Sequence, residues 1–107
     1  MEVRRYQAPD GTDPFGLWLA SLADARARAA ALVRIARVSA GNLGDCKSVG
    51  EGLLELRIDH GPGYRVYCAR IGPRLVLLLG GGDKRRQGRD IETARNRLLD
   101  FKRRPTT

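Results

Sequence analysis

The sequence is poor in the residues that most enzymes use for chemistry. It has one histidine and two cysteines among 107 residues, and aromatic side chains make up only 6%. With His60 alone, no HxH ligand pair exists, and Cys46 and Cys68 are too far apart for CxxC spacing. No metal and no cofactor are therefore expected. No serine–histidine pairing is visible by motif, and His60 falls in a turn, where a structural role is the simpler reading. The two cysteines lie in unlike contexts, one polar and one on an apolar strand face, as free thiols in a reducing compartment do. Long hydrophobic runs are also missing. The stretch from Leu75 to Leu79 is far too short to span a bilayer, and the N-terminus has no basic region followed by an apolar run. These absences predict a cytoplasmic protein without membrane contact.

Arginine and lysine, by contrast, are abundant. The net charge is +8. Residues 1–56 carry seven basic and seven acidic side chains, whereas residues 57–107 carry thirteen against five, so the whole excess lies in the second half. Such concentration favours a polyanionic partner. With 42% hydrophobic and 30% charged residues, the chain has the composition of one globular domain over 1–107.

Glu2 to Tyr6 reads as an edge strand. Asp13 before Pro14 marks a helix start, because the carboxylate caps free amides and proline fits the first helical position. Phe15, Trp18, Leu19 and Leu22 then share one face, with Trp18 in the core. A second helix from Asp24 to Val38 carries Leu22, Ala25, Ala29, Leu32, Val33 and Ala36 as its apolar stripe, with Arg26, Arg34 and Arg37 projecting on the other side. Gly41 to Gly52 reads as a loop. Leu75 to Leu79 suits a strand covered on both faces, and Gly80 to Gly82 suits a tight turn close to a ligand. Lys84, Arg85 and Arg86 follow directly, although the spacing is not that of a Walker loop. Ile91, Ala94, Leu98 and Phe101 form the inner stripe of a last helix.

Strand parity brings out the feature around which these elements are arranged. Leu54, Leu56 and Ile58 point one way, and Glu55 and Arg57 the other. After the turn at 59–63, Tyr64, Val66 and Cys68 oppose Arg65 and Tyr67. Matching the apolar faces sets Arg57 beside Arg65 and Glu55 beside Tyr67. Two like charges paired across strands repel, so an anion between them is expected, with Arg65 facing solvent.

The run ELR…GPGYRVY…LLLGGGDK..Q..DI..A, with PF..WL..L and GN.GD.K..G upstream, resembles the killer-protein branch of the RelE/HigB/ParE toxins of bacterial type II toxin–antitoxin modules. The resemblance implies an α+β, RelE-like domain in which two N-terminal helices pack on a small, mostly antiparallel four-stranded sheet, with a C-terminal helix added. It also implies a metal-independent endoribonuclease acting on mRNA held by the ribosome, neutralised by a helix-turn-helix antitoxin. Carried over by position, Arg65, Lys84 and Tyr67 are the catalytic candidates, and Lys47, Arg57, Arg85 and Arg86 the RNA-binding ones. Where RelE enzymes have a catalytic tyrosine in the last helix, this chain has Ile91. ParE-like relatives use the same scaffold to inhibit DNA gyrase without cutting RNA, which is the second reading, and a plain RNA-binding module is the third.

Overall fold

The computed structural model describes residues 1–105. Strand β1 (Glu2–Arg5) is followed by helices α1 (Pro14–Ser21) and α2 (Ala25–Ser39), then strands β2 (Cys46–Ser48), β3 (Leu53–Arg57), β4 (Arg65–Ile71) and β5 (Leu75–Gly82), a 3-10 turn (Lys84–Arg86) and helix α3 (Gln87–Arg103).

The strands form one sheet in the order β1-β5-β4-β3-β2, with β1 parallel to β5 and the other pairs antiparallel. This overturns the expected RelE-like arrangement of a four-stranded, mostly antiparallel sheet carrying two N-terminal helices. The sheet has five strands and is mixed, and the three helices cover both of its faces. The extra strand, β2, lies in the glycine-rich stretch read as a loop. Gly50 and Gly52 take positive φ angles of 92° and 83°, and Glu51 between them takes 55°. That left-handed turn returns the chain along β3, placing Lys47 opposite Glu55. An ion pair of 2.7 Å between Arg95 and Glu51 ties the turn to α3.

Side-chain parity divides the core into two layers. Leu56, Ile58, Val66, Cys68, Val76 and Leu78 pack beneath Phe15 of α1 and Ala31 and Val38 of α2. Leu53, Tyr67, Ala69, Leu77 and Leu79 pack on the opposite face against Ala94 and Leu98 of α3. β5 is thus covered on both sides, which its unbroken apolar run requires. Asp13 caps α1 by accepting from the Gly16 amide at 3.0 Å. Asp24 does the same for α2 through the Arg26 amide.

Helix α2 begins and ends within a residue of expectation, but it is turned the other way. Its inner face is Ala27, Ala31, Arg34 and Val38. Leu32 and Val33, expected inside, are 49% and 52% exposed. The inversion rests on Arg34. Its Nε donates to the Arg57 carbonyl at 3.0 Å, and its Nη2 to the carbonyls of Leu43 and Asp45. One guanidinium therefore satisfies three backbone acceptors where β3 ends and β2 begins, which compensates for burying its charge. The small Ala27 and Ala31 let the helix approach closely enough for that reach.

Gly80 to Gly82 belong to β5 and do not form a turn. Each lacks a side chain because another residue occupies the space. A Cβ at Gly81 would stand 2.3 Å from the Trp18 ring, one at Gly80 2.6 Å from Arg97 Nη1, and one at Gly82 2.0 Å from an Asp90 carboxylate oxygen. The triplet thus seats both covering helices on the strand.

Candidate nucleic-acid interface

The β3–β4 register is the one that parity predicts, with Arg57 opposite Arg65 and Glu55 opposite Tyr67. The charge that relieves the arginines is internal. Glu55 is fully buried. Its Oε1 lies 3.2 Å from Arg65 Nε and 3.7 Å from Arg57 Nε, within ion-pair range though off hydrogen-bond geometry. Its Oε2 accepts from Gln87 Nε2 at the start of α3, at 2.8 Å. One carboxylate facing two guanidinium groups leaves a net positive charge at this point of the sheet.

The two arginines differ in access. Arg57 is 45% exposed along its side chain, whereas Arg65 is 10% exposed and also donates from Nη1 to the Gly63 carbonyl at 2.8 Å. Arg65 is therefore fixed, and it does not face open solvent as the strand pattern suggested. Lys84 stands beside the same turn: a Cβ added at Gly63 would be 3.3 Å from Arg65 Nη1 and 3.5 Å from Lys84 Cβ. Tyr67 lies in the same row as Glu55 but is 1% exposed. Burial, helped by the charges of Glu55 and Asp90, pushes its hydroxyl well above the ordinary tyrosine value. A hydroxyl so enclosed, with no hydrogen-bond partner among the described residues, is poorly placed to exchange a proton with a substrate. Lys47 is exposed on β2. Arg85 and Arg86 are exposed on the 3-10 turn, where Asp83 accepts from the Arg85 amide and pairs with the Arg85 side chain at 3.4 Å.

One surface cavity is lined by Arg57 and Arg65, and a second adjoins it at Tyr64. The first, about 480 Å³, is lined by Arg34, Arg37, Arg57 and Arg65 together with Asp45 and Asp59. The second, a shallow groove of about 700 Å³, runs between the end of α1 and the 3-10 turn and is lined by Trp18, Tyr64, Arg85, Arg86 and the acids Asp83 and Asp90. Tyr64 lines both. It meets Trp18 edge-on at 6.2 Å and stacks with His60 at 6.5 Å. His60 Nε2 lies 3.0 Å from Asp24 Oδ2, and this contact holds the Asp24 carboxyl below its ordinary value, so His60 fastens the hairpin turn to the start of α2. Arginines followed by an aromatic pair and further arginines give a path on which a sugar–phosphate chain can be held while bases rest on rings.

Arg57, Arg65 and Lys84 are thus brought near one another, Lys47 lies across from Glu55 on β2, and Arg85 and Arg86 line the second groove. Sequence reasoning missed Arg37, set on the outer side of α2; Trp18, read as core, and Tyr64, read on the apolar strand face, do pack against the core, but they also line the groove. Only the proximity of Tyr64 to the glycine turn hinted at a place on the rim.

No protein-family model matches the chain. An uncharacterized protein of Haemophilus influenzae (strain ATCC 51907 / DSM 11121 / KW20 / Rd) is 51% identical over 81 residues, which cover 76% of this chain and 82% of the relative. The chain belongs to the family of that protein. No helix among the described residues is long and apolar enough to cross a membrane.

Proposed function

We propose that this protein is the toxin of a type II toxin–antitoxin module, acting in the cytoplasm as an endoribonuclease on messages positioned by the ribosome. The observation that carries the reading is the direct opposition of Arg57 and Arg65 on the wall of a cavity that Arg37 also lines. The sequence resemblance to the killer proteins supports it. In this reading Arg57 and Arg37 bind the RNA backbone. Arg65, held by Glu55 and the Gly63 carbonyl, is the preorganised donor toward the phosphate as it gains charge. Cutting by the RNA's own 2′-hydroxyl needs groups that move a proton and stabilise charge on phosphorus, and Lys84, exposed beside the Gly63 turn that Arg65 also borders, is the candidate to handle the proton. Bases would lie against Trp18 and Tyr64, with Arg85, Arg86 and Lys47 as outer phosphate contacts. The cognate antitoxin is a helix-turn-helix protein encoded nearby.

The gyrase-inhibitor reading shares the basic surface and makes a different demand. Induction of the protein in cells, with growth and message integrity followed for the wild type and Arg57→Ala, and supercoiling by purified gyrase assayed separately, distinguishes the two. The proposal expects growth arrest with message loss, both relieved by Arg57→Ala, and unaffected supercoiling. Inhibited supercoiling with intact messages would transfer the assignment to gyrase.

A further inference from the structure

We infer that the outward face of α2 is a docking site for an amphipathic helix of a separate, acidic protein. Ala25, Ala29, Leu32 and Ala36 are all exposed. Their spacing of four, three and four residues is the period of a helix–helix seam. Leu32 is 49% and Val33 beside it 52% exposed, so the seam offers a large apolar knob that none of the described residues covers. The three alanines allow a second helix to approach closely. The opposite face of α2 is already committed to the sheet through Ala27, Ala31, Val38 and the Arg34 clamp, so the helix cannot roll to hide the stripe.

Charge selects the occupant. Helix α2 carries four arginines and no acidic residue, and Arg26 and Arg37 flank the stripe near its two ends, both exposed. A second copy of this chain is disfavoured. Antiparallel pairing of two such helices would set Arg26 against Arg37, and parallel pairing would set each against itself. A partner helix with glutamate or aspartate beside its apolar seam meets the stripe and both arginines together, and charge complementarity of this kind fixes register and speeds encounter. The inference shares Arg37 with the RNA reading, but Leu32, Val33 and Arg26, on which its test turns, lie outside both cavities.

The test uses the full chain and two synthetic peptides with the same leucine–alanine seam, one flanked by glutamate and one by lysine. Binding is followed by fluorescence anisotropy and peptide helicity by circular dichroism. The glutamate peptide is expected to bind and become helical, and the lysine peptide to bind at least about tenfold more weakly. Leu32→Ser should weaken the glutamate peptide about tenfold, with an unchanged unfolding midpoint. Val33→Ser serves as the second variant if Leu32→Ser is poorly folded. Arg26→Glu should move the preference toward the lysine peptide. Failure of both peptides to bind overturns the inference, as does equal binding to wild type and Leu32→Ser, which would assign the contact to general basicity. A wild-type dimer that Leu32→Ser dissociates would give the face to a second copy and equally overturn it.

Discussion

Glu55 is the residue on which the candidate site depends. It is a fully buried carboxylate held by Arg65, Arg57 and Gln87, and removing one partner of a buried charge leaves the other uncompensated. Arg65→Ala is therefore expected to cost about 3 kcal/mol of stability, whereas Arg57→Ala, at a half-exposed position, should cost under about 1 kcal/mol. Urea unfolding of the two variants checks this; equal midpoints would mean that Glu55 does not depend on Arg65. Arg57 is consequently the better probe of activity, since its loss does not threaten the fold. Three other residues set a response to alkali. Burial pushes the Cys68 thiol from 9.0 up to about 12, and raises Tyr67 and Tyr6 above the ordinary 10.0. The folded chain keeps protons that the unfolded chain releases, so this stability is whole below the ordinary values and is lost progressively between them and the raised ones. Unfolding free energy should hold to about pH 8 and fall above about pH 9, with Cys68→Ala removing the earliest part of the decline. A flat profile to about pH 10 would contradict the burial of these groups. The pairing of Arg57 with Arg65 was legible from side-chain alternation alone. The full set of contacts on Glu55 beside them was not, because one of its partners is Gln87, 32 residues away and brought to it only by the packing of α3.

At the scale of elements, the glycines divide by what surrounds them. Gly81→Ala would drive a methyl group into the Trp18 ring and should cost about 1–3 kcal/mol, since neither strand nor indole can yield easily. Gly88, in the first turn of α3, has nothing within 4 Å of an added Cβ. Gly88→Ala should stabilise by about 0.5–1 kcal/mol, by reducing the freedom of the unfolded chain. Thermal unfolding of the pair checks both signs. If Gly81→Ala melted with the wild type, α1 would not be seated on β5 as described. The last helix and β5 were legible because their apolar residues fall on a single pattern. Helix α2 was not, because its apolar residues occupy nearly every side and hydrophobicity alone cannot choose the inner one. The choice falls to Arg34, a residue that pattern reasoning sends outward. Strand β2 escaped notice because three residues between glycines carry too little alternation to stand out from a loop.

Across the whole molecule, the basic half folds into the β3–β4 hairpin, the 3-10 turn and α3, while Arg34 and Arg37 reach the same region from the balanced half. The charge asymmetry thus foretold a basic surface but not which helix completes it. RNA affinity should fall steeply with ionic strength, as counterion release requires, and Arg57→Ala should flatten that slope, whereas a neutral substitution at Leu99, outside the groove, should not. Filter binding across a salt series measures this. The most direct test of the central claim is to map message 5′ ends across the transcriptome shortly after induction of the wild type and of Arg57→Ala at matched protein levels. The account predicts new 5′ ends within translated reading frames for the wild type and their disappearance in Arg57→Ala. Identical 5′ ends in induced and uninduced cells, with growth arrested all the same, would contradict it.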